Sequence, residues 1–379
     1  MHYAWEQRKL KELGEIKTGN TPSTAVNEYY SSDGMQWVTP TDITTNIVKT
    51  TAKKLSKEGE KVARIVPANT ILCTCIASLG KNAIVLEKSA FNQQINSLTT
   101  NEKLHDPYFL LTNSFYWSKS MKELAGGLTF QIVNKTEFSE IETWIPNDVE
   151  EEKKIGTYFK QLDNLITLHQ RKYDKLVNVK KALLEKMFPN NGKNVPELRF
   201  SGFTEAWEQR KLGDFCEMFN GDRGINYPKD SDMVQAGIPF VNAGDLQEGK
   251  VNLTTANKIT REKFDQLGGA KIKRGDILYC LRGTLGKNAF VDNFDEGTVA
   301  SSLVDIRPKN VDSQYLFTVL NSDIEYRQRI LCDEGAAQPN LSARNLANFD
   351  IPVPKIEEQV KIGRHFESLS NLITLHQQE

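Results

Sequence analysis

Three segments of this chain occur twice, in the same order and at nearly the same separation. Residues 4–10 (AWEQRKL) return as 206–212, residues 79–83 (LGKNA) as 285–289, and residues 164–170 (NLITLHQ) as 371–377. The offset rises from 202 to 207 along the chain, so the two copies are collinear and differ by a few small insertions. Most residues between these segments do not match. The sequence therefore predicts one fold used twice, presenting two different surfaces.

Length and composition fit two ordinary globular domains. The chain has 379 residues, enough for two domains that each bury a core. A repeat of about 200 residues is too long for a solenoid and indicates duplicated domains. No apolar run reaches the ~18 residues of a membrane-spanning helix and no secretory signal opens the chain, so we expect a cytoplasmic protein. The net charge of −1 implies that any nucleic-acid-binding surface is a local patch.

The five cysteines give no sign of a disulfide framework or a metal site. They are odd in number and none stands in CxxC spacing; they are Cys73, Cys75, Cys216, Cys280 and Cys332. We interpret them as reduced, buried thiols of a cytosolic protein.

Each copy is predicted to be a mixed α/β (α+β) body followed by a long α-helix. In the first copy, β-favouring runs at 70–76 and 83–86 flank a turn, and a helix begins at Asp106-Pro107. The second copy repeats this at 276–281 and 289–291, with a single helix expected from near Asp312 through Leu331. The predicted domains are a first body at 1–149, a spacer helix at 150–189, a linker at 190–205, a second body at 206–355 and a second helix at 356–379.

A heptad pattern follows the first body without a break. Its apolar positions alternate by four and three residues over about five heptads, which predicts a coiled-coil seam. The predicted seam is Ile155, Phe159, Leu162, Ile166, His169, Tyr173, Leu176, Leu183 and Met187, with Ile362, Phe366, Leu369 and Ile373 in the second helix. The alternative is a long helix packed on its own body. By register the second helix would reach about residue 395, so the second copy is either truncated or unequal by design.

The sequence holds no pattern that indicates catalysis or a bound metal. Residues 80–82 and 283–288 lack the glycine spacing and the Ser/Thr of a P-loop, and we interpret both as tight turns between strands. The five histidines never stand in metal-ligand spacing. Glu248-Gly249-Lys250 matches the Glu-x-Lys of a nuclease site, but so short a match is common by chance.

Polar loops recur at matching places in both copies with different side chains. They lie at 18–23, 39–42 and 92–96 in the first copy, and at 220–224, 242–245, 282–283 and 300–302 in the second. Asn and Gln pair with adenine, Arg with guanine, and Asp accepts from cytosine. An ordinary solvated turn remains the alternative for each loop.

Taken together, these motifs resemble the specificity subunit of a type I restriction–modification enzyme along the whole chain. The resemblance rests on the Trp-Glu-x-x-x-Leu opening of each copy and on a closing helix with Leu-x-x-Leu-Ile. It also rests on the segments TGNTPS (18–23), WVTPTDI (37–43), ASLGKNA (77–83), NQQIN (92–96) and GIPFVNAGDL (237–246). Each is weak alone, but their order and duplication are specific.

The resemblance implies two target-recognition domains separated by two long helices that pair antiparallel. Each domain would read one half of a bipartite site in double-stranded DNA, and the helices would fix the gap. The chain itself would be non-catalytic and bind no cofactor. Its partners would be two methyltransferase subunits that use S-adenosylmethionine, and translocase–nuclease subunits that use ATP and Mg²⁺.

The candidate DNA-binding residues are drawn from the polar loops and the two glycine turns. In the first copy they are Asn20, Thr21, Ser23, Thr41, Lys81, Asn92, Gln93 and Gln94; in the second they are Arg223, Asn242, Asp245, Arg282, Lys287, Ser301 and Ser302. Lys81 and Lys287 are the candidates for phosphate contacts. Two rival functions remain: a coiled-coil scaffold that binds proteins, and a stand-alone DNA endonuclease built on Glu248.

Overall fold

A computed structural model describes residues 5–124, 132–190, 192–332 and 340–378. The chain forms two compact units, residues 1–168 and 169–379. The predicted linker at 190–205 is described except for residue 191, and residue 379 of the predicted second helix lies outside the described part. None of the described helices is long and apolar enough to cross a membrane.

The first unit contains twelve described strands and most of its helical residues in two helices. The strands are β1 (Trp5–Lys9), β2 (Gly14–Thr18), β3 (Tyr30–Ser31), β4 (Met35–Val38), β5 (Ile47–Val48), β6 (Lys54–Leu55), β7 (Ile65–Val66), β8 (Thr70–Thr74), β9 (Asn82–Val85), β10 (Ser89–Phe91), β11 (Ile95–Thr100) and β12 (Glu142–Pro146). The helices are α1 (Leu10–Leu13), α2 (Lys57–Val62), α3 (Pro107–Leu124), α4 (Lys135–Glu140) and the N-terminal half of α5 (Val149–Lys186), whose C-terminal half belongs to the second unit.

The second unit repeats this order. Its strands are β13 (Glu208–Lys211), β14 (Cys216–Asn220), β15 (Met233–Val234), β16 (Ile238–Val241), β17 (Leu246–Gln247), β18 (Lys250–Val251), β19 (Asn257–Ile259), β20 (Ile277–Cys280), β21 (Asn288–Phe290), β22 (Thr298–Val299), β23 (Leu303–Pro308) and β24 (Asp350–Val353). Its helices are α6 (Arg261–Gln266), α7 (Ser313–Val319), α8 (Asp323–Cys332), α9 (Ala343–Ala347) and α10 (Ile356–Gln378).

The sheets of the two units share a common strand order, with β7 additional in the first unit and β17 additional in the second. The order β2-β11-β8-β9-β5 in the first unit corresponds to β14-β23-β20-β21-β18-β17 in the second. The order β3-β6-β4-β10-β7 corresponds to β15-β19-β16-β22. Both kinds of sheet mix antiparallel and parallel pairs, such as β8 with β9 and β5 with β9. The prediction of a duplicated mixed α/β body is confirmed.

The repeated opening segment forms the strand that closes each body. β1 pairs antiparallel with β12, and β13 pairs in the same way with β24. The next residues, Leu10 and Leu212, are fully buried in the cores of their units. The identity of residues 5–10 and 207–212 is therefore explained by the pairing of these strands and the burial of the leucine that follows each.

Matching caps start the helices that support the long ones. Asp106 accepts a hydrogen bond from the Phe109 backbone N–H at 2.7 Å, and Asp312 accepts one from Tyr315 at 2.8 Å. The single helix expected in the second copy is instead two helices, α7 and α8. The break lies where the Ser322 hydroxyl donates to the Val319 carbonyl and accepts from the Ile324 N–H, a local alternative to helical bonding.

The two long helices, α5 and α10, begin within one residue of their predicted starts. In the second unit, the C-terminal half of α5 runs antiparallel to α10. The imidazole Nδ1 atoms of His169 and His376 lie 3.3 Å apart, and Lys180 donates to Ser370 at 2.8 Å. A coiled coil along the full seam stays a prediction.

Several predicted seam residues pack into the globular cores, which corrects their assignment to a helix pair alone. Ile155 packs against the core of its own body, and Met187, Ile362 and Phe366 are buried in the core of the second. The reason is that Gly156 and Gly363 let the caps of α3 and α7 approach closely. A Cβ on Gly156 would lie 2.1 Å from Asp106 Oδ1, and one on Gly363 would lie 2.6 Å from Asp312 Oδ1. Phe159, Leu162 and Ile166 are exposed.

The cysteine prediction is right for four residues and wrong for one. Cys73, Cys75, Cys216 and Cys280 are buried free thiols, whereas Cys332 is exposed at the end of α8. Burial raises the pKa of the Cys73 and Cys216 thiols, which keeps them in the neutral form.

Candidate nucleic-acid interface

One polar side chain at the same position in each unit holds the loop after β2 or β14 in place by hydrogen bonds. Asn20 donates to the Val62 carbonyl at 2.8 Å and accepts from the Arg64 N–H at 2.6 Å. Asp222 accepts from the N–H groups of Gly224 and Gly268 at 2.6 and 2.8 Å, and these bonds hold its pKa below the usual range. The Asn20 amide is therefore occupied in fixing the loop. We correct its assignment from DNA contact to loop anchor.

A second matched turn has the same internal role. Asp42 accepts from the Thr39 N–H, and Asp245 accepts from the Asn242 N–H, both at 2.8 Å. Asp245 also accepts from the Thr255 hydroxyl and is buried. A buried, saturated carboxylate does not reach a base edge, so Asp245 is removed from the candidate interface. Asn242 is half-buried beside it, and Thr41 is exposed.

The loop before β11 brings two of the predicted residues together. The Thr21 hydroxyl donates to the Gln93 side chain, and both residues are exposed. Asn92 is buried and bonds to Gln94 through both its amide atoms, so its assignment to DNA contact is also corrected. Ser23 and Lys81 are exposed, and Gln94 is half-buried.

The glycine turns are tight hairpin turns. Gly80 has φ +76°, and Gly283 and Gly286 have φ +79° and +86°, values that favour glycine. Asn82 and Asn288 donate to the carbonyls of Gly80 and Gly286, which explains why the turn sequence recurs. Lys287 reaches back to the Ala243 carbonyl at 3.3 Å.

Three exposed arginines converge on one cleft of the second unit. Arg223, Arg282 and Arg344 line a cleft of about 450 Å³, together with Asn340 and Ser342. Arg282 Nε donates to Asn340 Oδ1 at 3.2 Å, and Arg223 donates to the Ser301 carbonyl at 3.1 Å. Ser301 and Ser302 are half-buried. Of the predicted residues, Arg223 and Arg282 therefore meet at this cleft, where they form a local positive patch on a nearly neutral chain.

The same structural position carries different chemistry in the two units. Arg282 and Asn340 form an isolated antiparallel β-bridge, and Ile76 and Ile132 form its counterpart in the first unit. One pair offers hydrogen-bond donors and an acceptor, while the other offers two aliphatic side chains, of which Ile132 is exposed. Arginine and asparagine pair with purine edges, whereas aliphatic groups fit the thymine methyl.

Sequence reasoning missed Asn340, Arg344, Ile76 and Ile132. Ile132 and Asn340 lie at similar distances along the chain after α3 and α8. This spacing is the only indication, in an alignment of the two copies, that the two residues are equivalent. Their pairing with Arg282 and Ile76 depends on the fold.

The Glu-x-Lys match is a hairpin turn. Glu248 and Gly249 have φ +51° and +77° and join β17 to β18, as the two central residues of a two-residue hairpin do. Among the described residues, no group of three His, Cys, Asp or Glu side chains is placed to hold a metal ion.

Comparison with known proteins identifies the fold and the family. Residues 3–178 and 204–379 each match the family described as Type I restriction modification DNA specificity domain. The chain belongs to this family. The two matched segments coincide with the two copies found in the sequence, so the specificity subunit contains the domain twice.

Two relatives carry the same assignment. This chain is 23% identical over 389 residues to the MjaVIII specificity subunit of Methanocaldococcus jannaschii, and the match covers 99% of this chain and 88% of that protein. It is 30% identical over 171 residues to the HindI specificity subunit of Haemophilus influenzae, covering 43% of this chain and 37% of that protein.

Solved structures agree on the fold. The S subunit of a type I restriction–modification system from M. genitalium matches with a TM-score of 0.63 at 15% identity, covering 100% of this chain and 92% of that one. A chain solved to explain complex assembly and conformational transition of the type I R-M system matches with a TM-score of 0.52 at 16% identity, covering 98% and 91%. The specificity subunit is thus the DNA-recognition component of a restriction–modification complex and not its catalytic component.

Proposed function

We propose that each unit of the specificity subunit reads one half of a bipartite site in double-stranded DNA. The observation that carries this proposal is the pair of matched bridges, Ile76–Ile132 and Arg282–Asn340. The surrounding loops are fixed by equivalent hydrogen bonds, so the scaffold is constant while the exposed chemistry changes. Such a scaffold suits two readers of unlike sequences.

In the second unit, the proposed interface is the arginine cleft. Arg282 and Asn340 would contact base edges, Arg344 would contact a phosphate, and Arg223 would contact a phosphate or a guanine. In the first unit, the proposed interface contains Thr21 and Gln93, with Ile76 and Ile132 against a thymine methyl. Gln94, Ser23, Thr41 and Lys81, and in the second unit Asn242, Lys287, Ser301 and Ser302, stay candidates at its border.

We further propose that α5 and α10 set the gap between the half-sites and scaffold two methyltransferase subunits. Those subunits would methylate adenine with S-adenosylmethionine, and translocase–nuclease subunits would add ATP- and Mg²⁺-dependent cleavage in the cytoplasm. The kinship with specificity subunits supports this assembly.

The test is co-expression of the full chain with its methyltransferase partner, followed by sequencing for N6-methyladenine. We expect methylation within a single motif made of two short specified segments separated by unspecified bases. Methylation at one continuous short motif, or none above that of the methyltransferase alone, would contradict the proposal.

A further inference from the structure

The second unit binds a segment of its own chain at a place that is open in the first unit. The segment MFPNNGKNVPELRFSGF (187–203) follows α5 and is described except for residue 191. Several of its described residues pack on the second unit. Met187 and Phe188 enter its core, where Phe188 lies 6.0 Å from Trp207 and 6.2 Å from Phe366 between ring centroids. Phe200 packs edge-on against His365 at 5.8 Å.

An ion pair fixes the other end of this segment. Arg199 Nε and Nη2 donate to the two carboxylate oxygens of Glu358 at 2.7 and 2.9 Å. Glu358 is buried, and Arg199 is largely buried. A two-pronged contact of this kind is both strong and directional. The segment is therefore held by an aromatic anchor and an arginine eleven residues apart.

The first unit has counterparts of the aromatic residues that bind this segment in the second unit. By the repeat, Trp5, Tyr158 and Phe159 correspond to Trp207, His365 and Phe366. Trp207 and Phe366 are each 2% exposed, whereas Trp5 is 41% exposed, Phe159 40% and Tyr158 59%. These three aromatic side chains lie open in the unit that lacks a covering segment among its described residues.

The first unit also has a counterpart of Glu358, and within the described part of the chain only one of its two carboxylate oxygens accepts a hydrogen bond. Glu151 corresponds to Glu358, and its Oε1 accepts from Trp5 Nε1 at 3.1 Å. Its Oε2 is buried and has no hydrogen-bond partner among the residues that the structure describes. A buried, unpaired carboxylate oxygen is costly, and an arginine from outside the unit would satisfy it.

We propose that Trp5, Glu151, Tyr158 and Phe159 form a docking site for a peptide segment of a partner chain. The segment carries an aromatic side chain and, about eleven residues later, an arginine, as residues 187–203 do. The aromatic side chain covers Trp5 and Phe159, and the arginine pairs with Glu151. This inference is independent of which DNA bases the two units read.

The test uses a fluorescently labelled synthetic peptide of residues 183–203 and the full chain. A second peptide carries Arg199→Ala, and a second protein carries Glu151→Gln. We expect saturable binding with one site per chain, because the matching site of the second unit is filled by the chain itself. Either change is expected to weaken binding about tenfold or more, the loss of one charged hydrogen-bonded contact. The protein variant Glu150→Gln, at an exposed acid next to Glu151, serves as the matched control and leaves binding unchanged.

Three outcomes would overturn the proposal. The first is no saturable binding, and the second is binding that is indifferent to both Arg199→Ala and Glu151→Gln. The third is binding that depends on Glu358 and not on Glu151, since the peptide would then be displacing the segment of the second unit. Circular dichroism of each variant verifies that it is folded.

Discussion

At the residue scale, a pair of buried carboxylates distinguishes the core of the second unit. Thr70 and Thr99 share a hydrogen bond of 2.9 Å in the first unit. By strand register, Asp276 and Arg307 stand at these positions in the second unit, and Asp305 stands at the position of Ser97. Burial, together with the charge of Asp276, raises the pKa of Asp305 to about 8, although Arg307 opposes the shift. Between its ordinary value of 3.8 and about 8, the folded chain therefore binds more protons than the unfolded chain.

The free energy of unfolding of the second unit should thus fall as pH rises toward 8. Asp305→Asn keeps the shape and removes the charge, so we expect it to stabilise the chain at pH 8 by about 1–3 kcal/mol and to flatten the pH dependence. Denaturant unfolding from pH 5 to 9 measures this. Asp265→Asn, at an exposed position, is the control, and an equal pH dependence in wild type and Asp305→Asn would disprove the assignment.

Phosphate and base contacts separate through their salt dependence. Arg344 is proposed to contact phosphate, so Arg344→Ala should weaken DNA binding by the methyltransferase complex equally on all sequences. It should also reduce the slope of log affinity against log salt by about one. Arg261→Ala, an exposed arginine paired with Glu296 outside the cleft, should leave the slope unchanged. Retention of the full slope in Arg344→Ala would exclude the phosphate contact.

Residue types alone did not reveal which polar side chains are free to bind DNA. Asn20, Asn92 and Asp245 have the chemistry of base-reading residues, yet each is used within its loop. Arg223 and Arg282 were predicted and do lie exposed on a cleft. The difference depends on backbone partners far away in sequence, such as Val62 for Asn20, which a single sequence does not display.

At the element scale, the joint between the long helix and its body is built the same way twice. The cap of α3 rests on Gly156, and the cap of α7 rests on Gly363. Glu152 accepts from the Asp106 N–H at 2.8 Å, and Gln359 accepts from the Asp312 N–H at 2.9 Å. These contacts fix where each long helix leaves its body.

Gly363→Ala should disrupt this joint. The added Cβ would lie 2.6 Å from Asp312 Oδ1 and 2.8 Å from the Tyr315 nitrogen, so α7 must shift away from α10. We expect a loss of about 1–3 kcal/mol in the free energy of unfolding, despite the higher helix propensity of alanine. Ser368→Ala, on the exposed face of α10, is the matched control. Equal or greater stability of Gly363→Ala in denaturant titration would contradict the close approach.

Helix starts and strand positions were well predicted because their signals are local. Heptad spacing placed α5, and short β-favouring apolar runs placed β8 and β9. The packing of Ile155, Ile362 and Phe366 was misassigned because a heptad pattern reports an apolar face and not its partner. The apolar face of each long helix can pack on its body or on the neighbouring helix. The close contacts at Gly156 and Gly363 place part of that face on the body.

At the scale of the whole molecule, duplication explains both what recurs and what differs. Recurring residues, such as Asn82 and Asn288 or Leu10 and Leu212, hold turns and cores. Exposed positions between them have diverged, as at Ile132 and Asn340. Changes at these positions should therefore alter one half of the recognised sequence and leave the other half intact.

The most direct test is to map N6-methyladenine genome-wide for two single variants, Gln93→Ala and Arg282→Ala, each co-expressed with the methyltransferase partner. We predict that Arg282→Ala relaxes discrimination at one position of one half-site by about 1–3 kcal/mol, and that Gln93→Ala affects only the opposite half-site. Relaxation of the same half-site by both variants, or loss of both half-sites together, would contradict the assignment of one reader to each unit.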